Sequence, residues 1–399
     1  MFKQSKFIIL LLVVVLTVGL LSGCWKKTEE EDSDIPQGTE TENGESGDKV
    51  DEVGEEIKIG TVGPLTGDVA SYGISTKNGV EIAVDEFNQD GGINGRPIRL
   101  ISEDTRGDQT ETANAASKLI EQDKITAIVG GVISAETFTA GPITNDAKVV
   151  MISSSSTAVG IPEIGDYVFR NCLSDEVQAV QLAEFAVEEL GLKKFAVMFT
   201  NNDYGLSLKD AFEKRAKELA EVTGIETYND GEKDFRVQLT QLKGKNPDAL
   251  YIAGYYTEAA KIAQQAKDQG LDVVILGADG FYSPILVDLG GDAVEDAVFT
   301  AGFFTDDPSP NAQKFVRAYT DKFKDEPDMF AAQAYDAAMI LLTAIKNAGG
   351  VGGEAHQREM LKIKGYPGVT GSTSFTPVGD VVKDIIILKV ENGKFIKLR

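Results

Sequence analysis

From Ile57 onward the sequence repeats one unit: a short apolar run, a turn rich in Gly, Ser, Asn or Asp, then a longer stretch with helical spacing. This alternation predicts parallel sheets with helices on their faces, because consecutive parallel strands need a crossover long enough to hold a helix. The expected strands are Ile57–Val62, Ile98–Glu103, Ile125–Val129, Val149–Ile152, Phe195–Phe199, Ala249–Ile252 and Val273–Leu276. Most are near-continuous apolar runs, as strands covered on both faces should be. After Tyr204, Leu208, Phe212, Ala216 and Leu219 recur at helical steps, and after Thr257 so do Ile262, Ala263 and Ala266. Each set forms one apolar stripe that faces a sheet. The stretches 311–324 and 330–347 read as long helices, and alternating runs at 371–375 and 385–390 close the chain. With 399 residues, 42% of them hydrophobic, the chain exceeds one typical domain and two lobes are expected.

Charge and residue usage narrow the chemistry. Sixty-three acids against 39 lysines and arginines leave a net charge of -24. A surface this negative repels nucleic acid and anionic membranes as main partners. The single histidine, His356, argues against catalytic triads and His-rich metal sites. No Gly-x-Ser-x-Gly elbow occurs, so a hydrolase is disfavoured. There is no P-loop either, and Gly60–Gly67 has the wrong glycine spacing for a dinucleotide and carries Pro64. The chain is therefore expected to be no enzyme and to hold no cofactor or metal. The two cysteines, Cys24 and Cys172, cannot form a disulfide framework, and Cys172 reads as a small buried core residue.

The N-terminus has Lys3 and Lys6, an apolar run from Phe7 to Leu21, then Ser22 and Gly23 before Cys24. This reads as an export signal, since the run is too short for a comfortable membrane span; an uncleaved anchor helix is the competing reading. Leu21-Ser22-Gly23-Cys24 resembles the lipobox of bacterial lipoproteins. That resemblance implies removal of residues 1–23 and a lipid on Cys24, which anchors the protein to the cell membrane facing outward, or to the periplasm. Residues 25–56 hold thirteen acids and three lysines with almost nothing apolar, so 24–56 is expected to be an extended, self-repelling tether.

The polar candidates for function follow the C-terminal ends of expected strands, where open α/β sheets bind ligands. Ser134 stands at a helix start, where it can cap the helix or help hold a carboxylate. Ser153–Ser156 and Thr157 offer hydroxyls and loop N–H groups suited to an anion, or form a solvated loop. Asp279, in Gly277-Ala278-Asp279-Gly280, can pair with an ammonium group or stand exposed in a turn. Tyr72, Tyr204, Tyr255, Tyr256 and Phe330 are placed to wall a pocket.

Several motifs in order carry a family resemblance: Gly63-Pro64-Leu65-Thr66-Gly67 with Tyr72-Gly73, Gly91-Gly92-Ile93-Asn94-Gly95, Asp104, and Asn202-Asp203-Tyr204-Gly205. Over nearly all of 57–399 the sequence resembles the branched-chain amino-acid-binding proteins of ABC importers. The resemblance implies a type I periplasmic binding protein-like α/β fold, with two doubly wound parallel-sheet lobes and the ligand in the cleft between them. It places three crossover strands near Arg170–Ser174, Phe299–Gly302 and Pro377–Lys383. Lobe 1 is then 57–172 and 300–380, and lobe 2 is 173–299 and 381–399.

The same resemblance implies that Ser134 and Thr157 bind the α-carboxylate, and that the Ser155 carbonyl and Asp279 take the ammonium. Tyr204 and Tyr255 come from the second lobe, and Tyr72, Ile133, Tyr204 and Phe330 wall the side-chain pocket. Two positions depart from the pattern: Asp279 stands where glutamate is frequent, and Ser155 and Ser156 stand where alanines are expected. The implied function is a monomeric solute-binding lipoprotein that closes on an α-amino acid, foremost a branched-chain one, and delivers it to the permease. The alternatives are the same fold binding an aromatic or aliphatic carboxylic acid, an amide or urea, or a ligand sensor subunit.

Overall fold

The computed structural model describes residues 55–350 and 352–399. The expected signal, Cys24 and the tether as far as residue 54 lie outside the described residues. The expected end of the tether is held: Arg96 Nε donates to the Glu55 carbonyl at 2.6 Å, and Arg99 lies 3.3 Å from the Glu56 carboxylate. The described fold thus takes in Glu55 and Glu56, two residues ahead of the expected start at Ile57.

The first half of the fold runs β1 (Ile57–Gly63), α1 (Ala70–Gln89), β2 (Ile98–Asp104), α2 (Gln109–Lys118), β3 (Ala127–Gly130), α3 (Ser134–Asp146), β4 (Val150–Ser153) and β5 (Val168–Arg170). Next come α4 (Asp175–Glu188), β6 (Lys194–Thr200), α5 (Asp203–Leu219), β7 (Glu221–Tyr228), α6 (Arg236–Lys243), β8 (Ala249–Ala253), α7 (Tyr256–Asp268) and β9 (Val274–Gly277). The chain ends with α8 (Pro284–Gly290), β10 (Val298–Ala301), α9 (Pro310–Phe323), α10 (Met329–Asn347), α11 (Glu354–Leu361), β11 (Tyr366–Gly368), β12 (Gly371–Phe375), β13 (Val381–Val382), β14 (Ile386–Glu391) and β15 (Lys394–Lys397). Among the described residues no helix is long and apolar enough to cross a membrane.

Each expected strand is present within one or two residues of its bounds. Three parallel strands do not follow from the apolar pattern, each for a physical reason. β5 has only three residues, and β10, four residues long, coincides with an expected crossover. β7, with Glu221, Thr223, Glu226 and Thr227, is the edge strand of its sheet and only partly buried, so it lacks a continuous apolar run.

The strands form one all-parallel sheet, ordered β2-β1-β3-β4-β5, and a second ordered β15-β14-β10-β9-β8-β6-β7. In the second sheet β7, β6, β8, β9 and β10 run parallel, while β14 and β15 are antiparallel additions at one edge. The chain passes from the first sheet to the second after β5. It leaves the second sheet after Ala301, the last residue of β10, and re-enters it at β14 from the small sheet β11-β12-β13. In each large sheet the strand order reverses at one point, between β1 and β3 and between β6 and β8. A crevice opens at such a point outside the C-terminal strand ends, because the connections on either side run away to opposite faces.

Two helices set the first crevice. The buried α10 lies against α1, and an added Cβ on Gly79 would stand 2.1 Å from the Ala331 carbonyl oxygen. Asp328 caps α10 by accepting from Ala331 N at 2.9 Å, and its other oxygen accepts from Ser75 of α1 at 2.6 Å. This close approach brings Tyr72 and Phe330 into a stack with ring centroids 4.1 Å apart. We therefore expect Gly79→Ala, which must push the two helices apart, to destabilise the protein by about 1–3 kcal/mol. Urea unfolding followed by circular dichroism measures this; an unchanged midpoint would show that the helices yield without cost.

Candidate functional site

The loops that follow the switch-point strands of both sheets meet around one small cavity. It spans about 240 Å³ of non-atom space, open solvent included, and is lined by Tyr72, Val132, Ile133, Ser134, Ser155, Tyr204, Tyr255, Asp279, Gly280 and Phe330. Every residue that the family resemblance implies at the site lines this cavity except Thr157, which is buried; Tyr256, also expected to wall the pocket, does not line it. Val132 and Gly280 also line it, both beside residues that were expected there.

The cleft is shut by direct bonds between the loops of the two sheets. Tyr72 Oη donates to the Gly280 carbonyl, Thr257 Oγ1 to the Asp68 carbonyl at 3.0 Å, and Val159 N to Ser207 Oγ at 3.1 Å. The aromatic wall is continuous: Tyr204 and Tyr255 stack with centroids 5.1 Å apart, and Tyr72 meets Tyr255 edge-on at 6.0 Å.

Asp279 is buried, which removes the exposed-turn reading. Its Oδ1 accepts from Tyr204 Oη at 2.8 Å, and Tyr204 Oη in turn accepts from Gly280 N at 2.9 Å. Burial pushes the Asp279 carboxyl up to about 6, although the Tyr204 hydroxyl favours its charged form.

Asp175, at the start of α4, is a functional candidate that the sequence does not single out. It is fully buried, and neither carboxylate oxygen is held by a well-formed hydrogen bond. Burial first and the Asp279 charge second push it up to about 8, against the weaker pull of the Thr157 and Ser207 hydroxyls and of Arg170. That arginine is already spent, donating at 2.7 Å from both Nε and Nη2 to Asp380 and at 2.9 Å from Nη1 to the Thr157 carbonyl. Ser174-Asp175-Glu176 reads as an ordinary acidic helix start, with Ser174 Oγ accepting from Val177 N. Only burial separates Asp175 from its neighbour Glu176.

The opposite wall corrects two expectations. Ser134 is the first residue of α3 and does not cap it; its Oγ accepts from Ala158 N at 3.2 Å. Glu136 reaches back instead to the N–H groups ahead of the helix. Most of the serine run is structural. Ser153 and Ser156 donate to the Gly131 carbonyl at 2.6 and 2.7 Å, and Ser155 donates to the Val132 carbonyl at 2.7 Å. The hydroxyls of Ser154 and Thr157 are buried with no hydrogen-bond partner, so an anion-binding role falls to fewer groups than the run suggests. Cys172 is buried and free, as expected of a small core residue, and burial pushes its thiol far up.

Comparison with known proteins agrees with this architecture. The family model described as periplasmic binding protein matches residues 56–394. The chain is 32% identical to a Leu/Ile/Val-binding protein of Rhizobium johnstonii over 351 residues, covering 86% of this chain and 93% of the relative. A leucine-binding protein of Thermotoga maritima superposes with a TM-score of 0.82 at 34% identity, over 86% of this chain and 98% of that one. The branched-chain amino acid transporter substrate-binding protein of Streptococcus pneumoniae, solved in complex with isoleucine, superposes with a TM-score of 0.81 at 34% identity, over 86% and 99% of the two chains. With two switch-point crevices closed over one small cavity and a family match along residues 56–394, this chain belongs to the periplasmic binding protein family.

Proposed function

We propose that this protein is the substrate-binding subunit of an ABC importer, and that it closes on an α-amino acid with an aliphatic side chain and delivers it to the permease. The observation that carries this reading is the polarity of the small cavity. Of the residues that line it, Asp279 is a buried carboxylate on the second-sheet side, and Ser134, at the start of α3, is a buried hydroxyl on the first-sheet side; Asp175 and Thr157 are buried but do not line it. A zwitterion stripped of water needs both ends paired, since each unpaired buried charge costs several kcal/mol or so. Asp279, backed by Asp175 and the Ser155 carbonyl, takes the ammonium. Ser134 and Thr157, whose Oγ1 is otherwise without a hydrogen-bond partner, take the carboxylate. Tyr72, Ile133, Tyr204, Tyr255 and Phe330 leave only apolar and aromatic surface for the side chain. The relatives named for leucine, isoleucine and valine support the same ligand class.

The two ends of the ligand are served from different lobes, here assigned as 57–172 with 300–380 and 173–299 with 381–399. Closure is then ligand-dependent, because only the shut cleft pairs both charges. The protein works as a monomer, held at the outer face of the membrane by a lipid on Cys24 and the acidic stretch that follows.

Asp279→Ala leaves the ammonium short of its ionised partner, and truncating one member of a buried charge pair costs about 2–5 kcal/mol, or roughly thirtyfold to several thousandfold in affinity. Ser134→Ala should cost less, about 0.5–3 kcal/mol, because the N–H groups of α3 remain. Calorimetric titration of leucine, isoleucine, valine and 4-methylpentanoate into wild type and both variants tests this. Equal binding of leucine and the deaminated analogue by wild type would replace the amino-acid reading with a carboxylic-acid one.

The anchor is tested separately. Cys24→Ala should release the protein from the membrane fraction and abolish labelling by a radioactive fatty acid, with leucine affinity unchanged. Retained label would place the lipid elsewhere.

A further inference from the structure

Glu136 is a fully buried acid directly behind the cavity wall, and no role in the site has been given to it above. Its Oε2 accepts from the N–H groups of Val132 at 2.8 Å and Ile133 at 3.2 Å, and its Oε1 faces the Thr105 hydroxyl within hydrogen-bond reach. Thr105 is itself fixed: its N–H donates to the Gly63 carbonyl at 3.0 Å, and its Oγ1 accepts from Gly107 N at 3.3 Å. One carboxylate therefore ties the ends of β1, β2 and β3 to the stretch Val132–Ser134, all three residues of which line the cavity.

We propose that Glu136 is a positioning residue that holds the Val132–Ser134 wall in register for the ligand's carboxylate, and that its charge makes capture of the ligand take up a proton. This rests on the amino-acid reading, which puts that carboxylate at Ser134. Glu136 stands two residues further along the same helix start, so a charged Glu136 opposes the arriving anion both directly and by offsetting the favourable end of the helix dipole. The other titratable groups facing it are Asp104, at the end of β2, whose charge acts in the same direction, and Tyr255, ahead of α7. Burial is the largest cause that pushes Glu136 up to about 7.

The geometry accepts either protonation state. With a proton from solvent on Oε1, that oxygen donates to Thr105 Oγ1 in place of accepting from it and the Thr105 hydroxyl hydrogen turns away, while Oε2 goes on accepting from the two backbone N–H groups. The bonds to Val132 and Ile133 are kept, and the repulsion is removed. The ligand's carboxylate, once bound, raises Glu136 further, so the bound form carries more protons than the free form near neutral pH. Affinity from this source is fully present at low pH and declines as pH rises through the range in which free Glu136 loses its proton.

The test is calorimetric titration of leucine into wild type and Glu136→Gln, at about pH 6, 7 and 8.5, in two buffers of unlike ionisation enthalpy. Glutamine keeps the acceptor for the two N–H groups and carries no charge. The two proteins should bind leucine about equally at the lowest pH, and the variant should bind roughly three- to tenfold more tightly than wild type at the highest, since one unit of pKa change is tenfold. The buffer dependence of the heat should be smaller in the variant. Asp175 and Asp279 titrate in both proteins, so their effects cancel in the ratio. A ratio that is the same at every pH overturns the role of Glu136 while leaving the amino-acid reading intact. Failure of wild type to bind leucine, isoleucine or valine at any pH overturns both.

Discussion

The cost of keeping carboxylates away from water is the constraint on which the closed form of this protein depends. Asp279 and Asp175 are both buried, and the guanidinium that acts on Asp175, that of Arg170, is committed to Asp380 and to the Thr157 carbonyl. Asp279 retains a tyrosine hydroxyl as donor, whereas neither oxygen of Asp175 is held by a well-formed hydrogen bond. Two like charges in such surroundings cannot both be ionised cheaply; burial raises both, and the Asp279 charge raises Asp175 further. In the proposed function the ligand's ammonium offsets that cost.

The fold creates this situation by bringing together groups that are remote along the chain. Each sheet is doubly wound, and each reverses its strand order at one point, so each presents a crevice at the C-terminal ends of its strands. Tyr72 and Ser134 follow the strands flanking one reversal, and Tyr204 and Tyr255 follow those flanking the other. Bonds such as Tyr72 Oη to the Gly280 carbonyl then join the two crevices into one cavity. The rigid α1–α10 contact at Gly79 and Ala331 sets how far Tyr72 and Phe330 reach into it.

Within the first sheet the site is supported by hydrogen bonds that leave little for a ligand. The hydroxyls of Ser153, Ser155 and Ser156 turn inward to the carbonyls of Gly131 and Val132, knitting the loop after β4 to the loop after β3. Glu136 does the same from the other side for the N–H groups of Val132 and Ile133. Buried backbone groups in irregular segments must find partners, and these side chains supply them. The pocket wall is therefore a fixed surface, to which Ser134 contributes a hydroxyl.

The strands and helices were legible in the sequence because their signals are local. An apolar run such as Ala249–Ala253, or the stripe Leu208, Phe212 and Ala216, reports burial through spacing alone, and a turn of small and polar residues marks where each run must stop. The candidate positions at strand ends followed from the same pattern, and the family motifs assigned them roles. What the sequence could not carry was the environment of each polar group. Asp175 and Glu176 are adjacent acids at one helix start, yet one is buried without a hydrogen bond and the other is exposed. Ser155 and Ser156 look like anion ligands and serve as loop fasteners, and Glu136 looks like a routine first-turn acid and stands behind the cavity wall. Whether a charge is desolvated or paired depends on segments tens or hundreds of residues away, so the alternation of strands and helices was decided by local chemistry and the electrostatics of the cleft only by tertiary packing.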